Sequence, residues 1–111
     1  MEYRLGYTTS EESKKFVELG VKVNTADFWI SPEGKYIGRI ETPIQYKTLP
    51  SWSITRIVDI LENNGIKVSY EDKSWCLKTN VIENGKRHCF VGGSLPKLVI
   101  EMLESKIVKL K

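Results

Sequence analysis

The chain has 111 residues, 41% of them apolar and 28% charged, with a formal charge of +3. That length suits one hydrophobic core, and acids interspersed among the bases leave no long basic block of the kind that tracks a nucleic-acid backbone. No run approaches the ~18 apolar residues of a membrane span, and MEYRLGYTTSEESKK lacks the apolar core of a secretion signal. Two cysteines do not make a disulfide framework, so a single-domain cytoplasmic protein is expected.

In chain order, TTSEESKKFVELG predicts a helix near residues 10–19. Thr9 with Glu12 fits a capping box, Phe16, Val17 and Leu19 supply an apolar face, and Gly20 can end it. DFWI and KYIGRIE flank Ser31-Pro32-Glu33-Gly34, where Pro32 and Gly34 suit a type I turn, so a short hairpin is expected near 27–41. TPIQYKTLP follows as an extended connector bounded by Pro43 and Pro50. A second helix is expected near 53–63, with Ile54, Ile57, Val58 and Leu61 on one face, Ser51 or Ser53 as cap, and Asn64-Gly65 at the end. A third is expected near 95–109, capped by Ser94, with Pro96 in its first turn and a stripe of Leu95, Leu98, Val99, Met102, Leu103 and Leu110. The basic C-terminal KIVKLK would then place lysines at a helix C-terminus, where they suit the dipole.

Between the second and third helices, two tight turns predict a three-strand antiparallel meander near 66–71, 75–82 and 86–91. A turn at Asp72-Lys73 pairs Tyr70 with Trp75 and Val68 with Leu77. The Asn84-Gly85 turn pairs Glu83 with Lys86, Val81 with His88 and Asn80 with Cys89. Because side chains alternate along a strand, both turns independently collect Ile66, Val68, Tyr70, Trp75, Leu77, Thr79, Val81, His88 and Phe90 on one face. Lys67, Cys76, Lys78, Arg87, Cys89 and Val91 fall on the other. The expected class is α+β, the meander packed on helices.

This register addresses the one segment that hints at chemistry, KTNVIENGKRHCFVGG. His88 faces away from both thiols, so a Cys–His catalytic pair is not expected. Cys76 and Cys89 share a face but stand about 13 Å apart, four residues at ~3.3 Å each, too far for a disulfide. No C-x-x-C or H-x-x-x-H spacing provides a zinc site, and no phosphate-binding or nucleophile motif is present. Gly92-Gly93 read as strand-to-helix punctuation, and Glu11-Glu12 and Glu71-Asp72 as helix-start and turn residues. No catalytic residue, metal ligand or cofactor site is therefore expected. Trp52, in LPSWSI, has two readings: a hydrophobic staple onto the second helix, or an exposed anchor for a partner.

The order of SEESKKFVELG, NTADFW, LPSWSITRIVDILE and a final helix with an ML-x-x-K face resembles a group of small uncharacterised proteins from gut anaerobes, their prophages and integrated mobile elements. The matching residues include Thr25-Ala26-Asp27, Pro50-Ser51-Trp52-Ser53-Ile54, Pro96 and Met102-Leu103. Phe28 stands where Met is usual, Leu98 where a small residue is usual, and MEYRLGY reads as an addition. The resemblance implies a bacterial, mobile-element-linked setting and no activity. A non-catalytic interaction module is the leading expectation, with Trp52 and the meander edge as candidate contact surfaces. The alternative is a weak nucleic-acid-binding protein using Lys67, Lys78 and Arg87. A homodimer through the last helix's stripe is a further reading.

Overall fold

The computed structural model describes residues 6–39 and 48–111. Among them the fold is α+β, with α1 (Ser10–Glu18), α2 (Ile54–Asn63), α3 (Leu95–Glu104) and two three-stranded antiparallel sheets. The chain forms two compact units, residues up to Ile57 and residues from Val58 onward.

In the first unit, the expected capping box starts α1. Thr9 Oγ1 accepts the Glu12 N–H at 3.2 Å and Glu12 Oε1 accepts the Thr9 N–H at 2.9 Å. The helix closes in a Schellman motif, with Val21 N–H on the Phe16 carbonyl and Gly20 N–H on that of Val17. Phe16 and Val21 are buried, but Val17, expected on the apolar face, is exposed. The sheet has the order β2-β1-β3, with β1 (Phe28–Ile30) between β2 (Tyr36–Arg39) and β3 (Leu49–Ser51). The expected turn joins β1 to β2, Gly34 N–H meeting the Ser31 carbonyl at 2.8 Å. Glu33 in that turn is held below the usual carboxylate range, first by a backbone hydrogen bond and next by the Ser31 hydroxyl. Ile40 and Glu41 of the expected hairpin, residues 42–47 of the expected connector and most of the expected N-terminal addition lie outside the described residues. The connector's last residues correct the expectation, since Leu49–Ser51 is a strand paired with β1. Pro50 is tolerated there because β3 is an edge.

In the second unit, β4 (Lys67–Glu71), β5 (Ser74–Glu83) and β6 (Lys86–Gly92) form the meander. The β4–β5 register is the expected one, from Lys67 opposite Lys78 to Glu71 opposite Ser74. Asp72, Lys73, Asn84 and Gly85 all take positive φ, the mark of type I′ turns whose twist matches the strands. The β5–β6 register departs from expectation. Glu83 faces Lys86 and Ile82 faces Arg87, but beyond them Lys78 faces Cys89, Leu77 faces Phe90 and Cys76 faces Val91. Residues 79–81 therefore span the place of His88 alone. The Thr79 hydroxyl fills the gap in the ladder, accepting the Val81 N–H at 3.2 Å and donating to the His88 carbonyl at 2.8 Å. Two extra residues, unlike one, preserve side-chain alternation. Trp75, Leu77, Thr79 and Phe90 accordingly remain together on the buried face.

Helix α3 lies against β5 and β6. Ser94 occupies the N-cap position, but its side chain makes no capping bond; its carbonyl accepts the Leu98 N–H. The helix ends five residues earlier than expected. Ser105 Oγ donates to the Met102 carbonyl, and Lys106 turns to φ 62°, leaving KIVKLK beyond the helix rather than on its C-terminal dipole. Leu95, Leu98, Val99, Met102 and Leu103 are buried within the chain, so these members of the stripe serve the core, whereas Leu110, expected on the same helical stripe, lies beyond the helix end and is half-buried. No helix among the described residues is long and apolar enough to cross a membrane.

Helix α2 ends in a second Schellman motif, with Ile66 N–H on the Leu61 carbonyl and Gly65 N–H on that of Glu62. Gly65 sits at φ +78°, and a Cβ built there lies 2.5 Å from Asn80 Nδ2. Gly65→Ala is expected to lower unfolding free energy by about 1–2 kcal/mol, the left-handed penalty of an L side chain. Urea denaturation checks this, and an unchanged midpoint would contradict it.

Candidate functional site

The residues singled out for chemistry do not converge. Cys76 and Cys89 are free thiols. They share a face, as expected, but the two-residue shift brings them closer than the sequence register implied: Cys89 is opposite Lys78, two residues along β5 from Cys76. Such diagonal neighbours stand ~7–8 Å apart, still beyond the ~5.5–6 Å that a disulfide prefers. His88 points to the other face, where its ring lies 4.7 Å from that of Phe90 and its Nδ1 is 3.2 Å from Glu83 Oε2. Among the described residues no three or more His, Cys, Asp and Glu side chains gather as a metal site.

Trp52 is fully buried, 0% exposed, which removes the exposed-anchor reading in this fold. Its ring lies 5.0 Å from that of Phe16, and its indole Nε1 donates to Thr25 Oγ1 at 3.0 Å. The neighbouring Ser53 is the true cap of α2. Its hydroxyl accepts the Arg56 N–H at 3.1 Å and donates to Asp27 Oδ2 at 2.6 Å, while Asp27 Oδ1 accepts the Ser53 N–H at 2.8 Å. Asp27 thus plays, from a distant segment, the part that a capping-box Glu plays locally, and its charge sits near the positive end of the helix. Arg56 Nε closes the arrangement on the Thr25 carbonyl at 2.6 Å. Thr25-Ala26-Asp27 and Trp52-Ser53 are therefore two halves of one clasp.

Behind the clasp, Thr8, Ser13 and Ser51 form a buried hydroxyl cluster. Ser51 Oγ donates to the Thr8 carbonyl at 2.9 Å, and Thr8 Oγ1 lies 2.9 Å from Ser51 Oγ and 2.8 Å from Ser13 Oγ while accepting the Trp52 N–H. One proton order satisfies all three: Ser13 donates to Thr8, Thr8 to Ser51, and Ser51 to the carbonyl. Every oxygen is occupied by the fold, and no basic side chain touches these hydroxyls among the described contacts.

The surface left for recognition lies on the meander's outer face. Lys67 and Lys78 are direct cross-strand neighbours, and Arg87 pairs with Ile82. None of the three cations makes an ion pair among the described residues. Between and beside them stand Ile82, 67% exposed, and Val91, 63% exposed, with Val91 opposite Cys76. Ile82 was missed by sequence reasoning, although its even position on β5 was the available signal. A second group in the first unit, the exposed Tyr36 and Tyr7 flanking the half-buried Phe28 at centroid distances of 5.5 and 6.3 Å, had no signal because the β1–β2 bulge and a separate Tyr7–Ser53 bridge assemble it.

Comparison of the sequence with family models and curated proteins, and of the fold with solved structures, gives no match.

Asp27→Ala removes the acceptor of both the Ser53 N–H and hydroxyl, and should lower stability by about 1–3 kcal/mol. Ser53→Ala, which loses the cap itself, should lower it by about 1 kcal/mol. Denaturation curves for both variants check the clasp, and an Asp27→Ala chain as stable as wild type would contradict it.

Proposed function

We propose that the chain is a small non-catalytic interaction module that binds a protein partner through the outer face of its meander. A bacterial accessory role linked to phage or mobile elements is the setting that its sequence resemblance implies. The observation that carries the reading is the presence of two largely exposed aliphatic side chains, Ile82 and Val91, on the solvent side of a sheet whose other side already holds Trp75, Leu77 and Phe90. Apolar side chains left outward beside polar ones are the usual substance of a recognition surface. The polar clusters of the first unit support the same direction. The Asp27 carboxylate and the Thr8, Ser13 and Ser51 hydroxyls are spent on capping and on one another.

A second reading, weak nucleic-acid binding, draws on Lys67, Lys78 and Arg87. The same face carries no aromatic ring on which bases could stack, since Tyr70, Trp75 and Phe90 alternate to the other side. Three phosphate contacts would also give only a shallow salt dependence, at ~0.9 in slope per contact.

Captured partners should distinguish the two. The tagged chain and its Ile82→Ser/Val91→Ser variant, compared by quantitative mass spectrometry, should differ in a protein whose recovery falls at least fivefold, roughly the effect of losing about 1 kcal/mol. The variant's thermal melt should match wild type, because both side chains are exposed. Identical recoveries, or a gel shift with nucleic acid at moderate salt, would contradict the protein-binding proposal.

A further inference from the structure

We infer that the partner segment accepted by the meander's outer face is acidic and carries aliphatic side chains. The inference rests on the interaction reading above and adds the chemistry of the partner.

Its first ground is an unrelieved repulsion. Lys67 and Lys78 are directly opposite across β4 and β5, which sets their Cβ atoms about 4.5–5.5 Å apart, and like charges so placed work against the sheet. No carboxylate among the described residues pairs with either ammonium group. Alternation assigns the outer face Lys67, Lys78 and Arg87 as cations and Glu71 as its one strand carboxylate, and Glu71 stands at the far end, opposite Ser74. An arriving carboxylate would find two cationic side chains rising from directly opposed positions, and its binding would offset their like-charge pairing.

The second ground is what lies beside the charge. Val91 and Ile82 are aliphatic and mostly exposed, so they gain by burial against aliphatic side chains and gain little from phosphates or sugars. Duplex or single-stranded nucleic acid would meet the charge but leave these two side chains without use. An acidic protein segment with leucine, isoleucine or valine among its carboxylates satisfies both halves of the surface. The two-residue excess at 79–81 maintains this combination, because a single inserted residue would have turned Ile82 toward the core and broken the face.

This arrangement gives the test an unusual signature. Lys67→Glu places opposite charges across the two strands, so the fold should gain stability while recognition of an acidic partner weakens. The probes are a labelled peptide of aspartate, glutamate and leucine, the same peptide with lysine in place of every acid, a leucine-free acidic peptide, and a single-stranded oligonucleotide. Each is titrated by fluorescence anisotropy at low and moderate salt. The expected result is binding of the acidic leucine peptide alone, weakened about fivefold by Lys67→Glu and by Val91→Ser, with the urea midpoint of Lys67→Glu raised. No binding of that peptide, equal binding of the oligonucleotide or the leucine-free peptide, or binding unchanged in Lys67→Glu would overturn the inference. The two levels separate cleanly. If partner capture depends on Ile82 and Val91 but not on Lys67→Glu, only the acidic character fails. If capture ignores Ile82 and Val91, the interaction reading itself fails.

Discussion

The hydroxyl of Thr79 holds the constraint on which the rest of the second unit depends. Between the Asn84-Gly85 turn and the core, β5 contains two more residues than β6, and a ladder cannot absorb them without leaving backbone groups unpaired. Thr79 reaches back to take the Val81 N–H and forward to give a proton to the His88 carbonyl, and it does so while buried. The ladder then resumes at Lys78 opposite Cys89 with its parity intact. The composition of the two faces follows from that parity. Trp75, Leu77 and Phe90 go inward together. The cations, thiols, Ile82 and Val91 go outward together.

The first unit depends on a different device, a helix cap assembled from a distance. Ser53 caps α2, and Asp27 holds Ser53 by two short bonds. The same short peptide that positions Asp27 also brings the Thr25 hydroxyl under the Trp52 indole and the Thr25 carbonyl to Arg56. A carboxylate and a tryptophan at such positions invite a catalytic or partner-binding interpretation. Here both are consumed by the fold, and Thr25-Ala26-Asp27 and Trp52-Ser53 have a sufficient structural explanation in this clasp.

Much of this was legible in the sequence where the determinant was local. Thr9 and Glu12, Gly20, Asn64-Gly65, Asp72-Lys73 and Asn84-Gly85 each specify a cap or turn through their own backbone preferences, and the helices and the β4–β5 register followed. What escaped had a long-range cause. The shift in β5–β6 needs a threonine hydroxyl to find a carbonyl nine residues away. The end of α3 at Glu104 turns on Lys106 adopting a positive φ without a glycine to announce it. The strand at Leu49–Ser51 was hidden by Pro50, which reads as a breaker until it is known to lie on an edge. Trp52 stood open between two readings because its indole partner, Thr25, is supplied by another segment. For the candidate face, parity was readable and gave Lys67, Lys78 and Arg87. The degree to which Ile82 and Val91 project, and the lack of a compensating acid beside the two lysines that the β4–β5 register sets opposite each other, became visible only with the sheet assembled.

The pairing of β5 with β6 is shifted yet keeps its parity, and nuclear Overhauser contacts between the two strands can read it out. Cross-strand backbone contacts should link Lys78 with Cys89 and Leu77 with Phe90, alongside Ile82 with Arg87 near the turn. Contacts linking Asn80 with Cys89 would show an unshifted ladder, and would remove the role assigned to Thr79.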